Sequence, residues 1–237
     1  MGSKTKLIDF VLKGINYCEP ENGVVDLFSG SCTLAGAIGG SLSVHSNDIQ
    51  AYSKVLAETY TNAFVASNCP TIDTLVYDAK AHQTQLLSAI DFQLDYSKNY
   101  SVAELAKIEK RQQGLIYNQF VKEFHYFTKT YSGTWWSAEQ CTVIDSLRYV
   151  AENYKSSTIY YPILASIMYA MAYSSIGTGH YAQYRDPKTD SNVNDILRYR
   201  RKDTFKIFTR KLSELLEWLP KKPNNLNHIS TAKDYLE

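Results

Sequence analysis

Along the first 66 residues the apolar positions switch between a helical and a strand period. Over residues 5–16, Leu7, Ile8, Phe10, Val11, Leu12 and Ile15 form an apolar face, which predicts an amphipathic helix. "CEPENG" breaks it with turn residues. "VVDLF" (24–28) then predicts a short buried strand, and "GSCTLAGAIGG" (30–40) a loop passing into a helix. "SLSVHSND" (41–48) reads as a second strand ending in acid, and residues 50–66 as a second long helix. Strands alternating with helices in this way predict a parallel β-α-β-α unit.

After about residue 80 the pattern becomes mainly helical. Val102 to Phe127 has a helical period interrupted at Gly114. Ser137 and Gln140 have the spacing of a capping box, followed at helical intervals by Cys141, Ile144, Leu147 and Val150. "YYPILASIMYAMAYS" (160–174) is apolar on nearly every face, with Pro162 near its start, and predicts a core helix. A loop, "SIGTGHYAQYRDPKTDSN" (175–192), leads to a basic segment and a helix around Lys211 to Trp218. "PKKPNN" is a turn, and "LNHIS" a final strand. The fold class expected is α/β: a Rossmann-like sheet, incomplete in this chain, with a mainly helical insertion. The expected divisions are 1–80, 81–222 and 223–237.

Composition adds exclusions. The 237 residues are 44% hydrophobic and 21% charged, with a formal charge of +1, so only local clustering argues for a nucleic-acid partner. Cys18, Cys32, Cys69 and Cys141 are far apart, without the pairing of a zinc site or a secreted disulfide framework. The N-terminus lacks the apolar run of a signal peptide. The most apolar segment, Ile163 to Ala172, is too short to cross a bilayer. No membrane partner and a reducing cytoplasm are therefore expected. The 19 tyrosines suit a base-contacting surface or a core with hydroxyls at its edge.

The loop after the first strand is the candidate for chemistry. Small residues there let a ligand approach the backbone, and the next helix begins with free N–H groups. Asp48 follows about 20 residues on, the spacing at which a carboxylate can accept ribose hydroxyls. Spacing alone fits equally a tight turn at Gly30 and Ser31 with Asp48 capping the next helix.

Taken in order, "GSKTKLIDFV", "DLFSGSCTLA" and "SND" resemble the motifs of the Dam-like DNA adenine-N6 methyltransferases. "GTWWSAEQCTVIDSLRYV" and "SSIGTGHYAQYRDP" are similar to the central region of one branch. The resemblance implies S-adenosylmethionine (AdoMet) as cofactor and double-stranded DNA as substrate. It places Lys4, beside Gly2, near the methionine end, and Asp26, Phe28, Ser29, Gly30 and Ser31 around the amino acid and sulfonium. Asp48 would hold the ribose, Ile49 would pack on the adenine, and Asp234 and Tyr235 would supply the third AdoMet motif. One departure is Cys32, which stands where the family has its second loop glycine. Its Cβ adds bulk and disfavours φ > 0, so weakened donor affinity is expected, with the fold intact.

The family's catalytic D-P-P-Y occurs nowhere in the chain, and no catalytic residue is assigned. The expectation is a split enzyme: this chain binds donor and DNA, and a second subunit carries D-P-P-Y. The alternative is a non-catalytic DNA-binding or regulatory remnant. For DNA, "RYRRKDTFKIFTRK" (198–211) has seven basic residues and one acid. It nominates Arg198, Arg200, Arg201, Lys202 and Lys206 for phosphates, with Tyr199, Phe205 and Phe208 interleaved. The preceding loop nominates His180, Tyr181, Gln183, Tyr184 and Arg185 for base contacts. A solvated basic face and a structural loop histidine are the plainer alternatives. Trp135 and Trp136 fit a core better than a stacking platform.

Overall fold

The computed structural model describes residues 4–39, 41–67, 69–121, 123–177, 183–221 and 229–231. The chain divides into two compact units. The first comprises residues 1–69, 156–165 and 214–237; the second, 70–155 and 166–213.

The first unit opens with α1 (Ile8–Cys18) after a 3-10 turn. It also holds β1 (Val24–Asp26), α2 (Thr33–Ile38), β2 (Val44–Asn47), α3 (Ala51–Thr61) and β3 (Ile229–Thr231). The three strands form a parallel sheet in the order β1-β2-β3. Val24 stands opposite Val44, and Ser46 opposite Ser230. The chain enters β1 through Gly23, at φ 99°, where a Cβ would collide with the Ser43 carbonyl oxygen. Only glycine fits so close a backbone approach.

Leu34, Ala35, Ile38 and Val44 make the core here, with Ile8, Val11, Leu12 and Ile15 of α1 against it. The predicted apolar face of α1 is therefore narrower than expected. Phe10 is 79% exposed, because at 100° per residue it lies about 200° around the helix from Ile8. Leu7 falls in the 3-10 turn, outside the α register, and is also exposed. β1 is shorter than "VVDLF" suggests: the chain turns at Leu27, leaving Leu27 and Phe28 exposed. A second cluster joins Val55, Leu56, Tyr60 and Phe64 to Ala165, Leu215 and Leu219. The Ser230 hydroxyl of β3 donates to Glu58 of α3.

The second unit is helical. α4 (Ile72–Leu87) begins at Thr71, whose hydroxyl accepts the Thr74 N–H at 3.1 Å. It runs unbroken through residue 80, so the division falls ahead of it, at residue 70. α5 (Val102–Gln113) starts on a capping box of Ser101 and Glu104 and gives way at Gly114 to a 3-10 turn. Helix does not resume until α6 (Tyr126–Tyr131). α7 (Ala138–Glu152) carries the Ser137–Gln140 capping box and packs along α4. α8 (Tyr160–Ser174), α9 (Asp190–Arg200) and α10 (Thr204–Trp218) follow, α8 and α10 each contributing residues to both units. Among the described residues no helix is long and apolar enough to cross a membrane.

Buried polar groups tie the second unit together. Arg200 forks onto Glu109, at 3.1 and 2.7 Å, and donates to the Thr134 carbonyl at 2.9 Å. The Tyr96 hydroxyl donates to Glu109 and accepts from Gln112. Burial beside the Glu109 charge pushes that hydroxyl far above the ordinary tyrosine range. Gln140 closes its box and also donates to the Tyr199 and Lys202 carbonyls, at 2.9 and 3.2 Å. One side chain thereby fixes both the start of α7 and the end of α9.

Candidate functional site

β1 delivers a buried carboxylate, Asp26, to the start of the loop. Four hydrogen bonds then shape the loop against the end of β2. The Ser29 N–H donates to the Asn47 carbonyl at 2.8 Å, and the Cys32 N–H to the Ser29 carbonyl at 2.8 Å. Asn47 Nδ2 reaches the Leu27 carbonyl at 3.4 Å. The Gly30 N–H donates to Asp48 Oδ2 at 3.0 Å. The other oxygen of Asp48 accepts the Gln50 N–H, also at 3.0 Å, in the turn leading to α3. Asp48 thus ties the loop to the turn ahead of α3, whose own N-cap is Gln50 with no side-chain cap.

β3 completes this edge. The Thr231 hydroxyl donates to Asn47 Oδ1 at 2.6 Å and lies 3.0 Å from His45 Nε2. Asn47, the middle residue of "SND", takes no role in the sequence reading, yet it holds the loop to β2 and β3. Its signal was its place beside Asp48 at the end of an apolar strand.

The space over Gly30 is open. Gly30 has φ 52°, and a Cβ built on it would meet nothing within 4 Å. A carboxylate offers about four acceptor sites. With two used by backbone N–H groups, half-buried Asp48 keeps capacity for a ribose diol. Phe28 (71% exposed) and Ile49 (65% exposed) are apolar surfaces of the same unit. Ser31 is exposed, its hydroxyl 2.9 Å from that of Thr33. The chemistry of these residues, a carboxylate with spare acceptor sites beside exposed apolar side chains, is compatible with AdoMet.

Cys32 takes the left-handed conformation the family's glycine would have, φ 58° and ψ 28°. Its side chain is buried, and the thiol donates to the Ser53 carbonyl of α3 at 3.4 Å. The bulk expected to crowd a ligand is packed between α2 and α3. The cost is backbone strain of about 1–2 kcal/mol.

The model of the D12 class N6 adenine-specific DNA methyltransferases matches residues 1–217. The chain belongs to this family. No curated protein and no solved structure matches it. The family is one of adenine-specific DNA methyltransferases.

In this chain the predicted phosphate contacts separate by environment. Arg200 is a correction: its side chain is 0% exposed and paired with Glu109, so it holds the fold. Arg201 is pinned to carbonyls of the 96–98 loop, its Nε donating to Tyr96 at 2.6 Å. Arg198 pairs with Asp195 at 3.2 Å and stays open to solvent, as does Lys206. Lys202 donates to the Tyr173 carbonyl. Phe208 is fully buried and interleaves nothing. The basic run spans the end of α9, a turn at residues 201–203 and the start of α10, and along each helix every third or fourth residue faces inward.

Of the loop residues, Gln183 is exposed. Arg185 donates to the Gly177 carbonyl at 2.9 Å, and Tyr184 packs edge-on against Trp135. Those contacts give both a structural duty. Trp136 is buried among Phe127 and Tyr131, with Nε1 donating to the Met171 carbonyl. His180, Tyr181, Asp234, Tyr235, Gly2 and the Lys4 side chain lie outside the described residues.

Proposed function

We propose that this chain is the AdoMet-binding and DNA-recognition subunit of a DNA adenine-N6 methyltransferase. Its first unit reads as a Rossmann-like methyltransferase sheet and its second as a target-recognition region. A partner chain supplies D-P-P-Y. The observation that carries the donor half is the Gly30–Asp48 hydrogen bond, which sets a carboxylate with spare acceptor sites beside open space over the loop. AdoMet, when bound, supplies an electrophilic methyl group on a sulfonium. This chain's contribution is positional: Asp48 takes the ribose hydroxyls, and the Ser29–Ser31 backbone surrounds the amino acid end. A donor held this way is oriented before the adenine arrives.

Support for a partner comes from β1. Among the described residues it pairs only with β2, and Val25 at its centre is 60% exposed. Parallel sheets are ordinarily covered on both faces, and an open strand edge invites another strand. The test is a gentle pull-down from the native cells with identification of co-purifying chains, followed by calorimetry with AdoMet. A stoichiometric partner bearing D-P-P-Y, and donor binding by the complex, is the expected result. Recovery of the chain without such a partner, and with no donor affinity, would favour the regulatory remnant.

A further inference from the structure

Five cations of the second unit lie over tyrosine rings. Arg185, Arg198 and Lys202 stand 5.8, 5.2 and 4.0 Å from the centre of the Tyr199 ring. Arg210 and Lys211 stand 5.9 and 5.2 Å from that of Tyr169. The two groups are joined. The Lys202 ammonium donates to the Tyr173 carbonyl at 2.5 Å, and Tyr173 stacks on Tyr169 with centroids 4.3 Å apart. Arg210 also donates to the Tyr169 hydroxyl at 3.2 Å.

The strip faces solvent: Tyr173 is 51% exposed, and Arg198 and Arg210 are exposed. The acids of α9 are Asp190 and Asp195, the latter paired with Arg185 and Arg198; those of α10 are Glu214, one turn beyond Arg210, and Glu217, paired with Lys221. The five cations of the strip outnumber the four acids of α9 and α10, on a chain whose net charge is +1. Burial, and next the nearby Arg198 charge, lowers the Lys202 ammonium below its ordinary range.

The arrangement decides which part of a nucleic acid fits. A cation over a ring face keeps its charge and can meet an anion on its other side. The ring face beneath it is covered and is not free to stack on a base. Phosphate contact is favoured over base stacking for that reason. We infer that the Tyr199–Tyr173–Tyr169 strip is a rail for the sugar-phosphate backbone of duplex DNA, the tyrosines holding the cationic heads in line. The inference rests on the DNA-recognition reading and adds to it a surface and four residues: Tyr169, Tyr173, Arg210 and Lys211.

The test uses the full chain and a labelled duplex, with affinity measured by anisotropy across a salt series. Each phosphate contact contributes about −0.9 to the slope of log K against log salt. The double variant Arg210→Gln, Lys211→Gln should flatten that slope by about 1.8 and weaken binding alike on unrelated duplexes. The charge-keeping pair Arg210→Lys, Lys211→Arg should retain the slope, which separates lost charge from lost fold. A Gln variant that binds like wild type, or weakens with its slope unchanged, overturns the rail. A wild-type chain that binds no duplex, alone or in its complex, instead overturns the recognition reading beneath it.

Discussion

Asp145 shows how far one side chain can depart from its sequence signal. It lies on α7 and accepts the N–H groups of Phe127 and Thr128, at 3.0 and 2.7 Å, and the Thr128 hydroxyl at 2.7 Å. Burial pushes its carboxyl up to about 6 from 3.8, against the pull of those donors. The unfolded carboxyl ionises first as pH rises. Its stabilising contribution is thus complete below 3.8 and falls as pH climbs to about 6. Asp145→Asn should abolish that falling limb, about 3 kcal/mol deep, in urea denaturation at pH 4 and pH 7. Cys32 is the residue-scale case in the donor loop. Cys32→Val should lower stability by about 2 kcal/mol or more, since a β-branched side chain resists positive φ; thermal melting reads it. Asp48→Asn keeps one acceptor oxygen yet loses the charge that accepts ribose hydroxyls. AdoMet affinity of the complex should drop about tenfold or more, measured by calorimetry.

At the scale of elements, much of the framework was legible. The Ser137–Gln140 box is a capping box as its spacing predicts, and Ser101–Glu104 is a second one. Capping is a local interaction between neighbours in sequence, which is why it can be read there. β1, α2, β2 and α3 occupy the segments their periods predicted, each trimmed at its ends. α4 was missed, because its apolar positions are interrupted by Asp73, Asp78, Lys80 and His82. His82 is buried all the same, within 2.9 Å of the Ser146 hydroxyl and stacked on Tyr149. The partner that makes burial of a histidine tolerable lies 64 residues away, beyond any local pattern. The Glu109–Arg200 pair is the joint between α5 and α9. Glu109→Ala strands the guanidinium without its counter-charge and should cost about 3–5 kcal/mol in chemical denaturation, far more than loss of exposed Arg198.

For the whole molecule, donor binding is the property that tests the functional reading most directly. At about a hundredfold excess over its Kd, AdoMet should stabilise the complex by about 2.7 kcal/mol, read as a rise in melting temperature that Asp48→Asn lacks. By itself the sequence determined the family, the order of the donor motifs and the parallel β-α-β-α start. Those depend on residue type and short spacing. Only the tertiary structure decided which of the basic residues 198–211 face outward, how Cys32 fits a glycine's place, and that Asn47 and Thr231 tie the loop to β3. Each of these depends on what lies opposite a side chain in space. A buried Arg200 and an exposed Arg198 look alike along the chain, and only Glu109, 91 residues distant from Arg200, tells them apart.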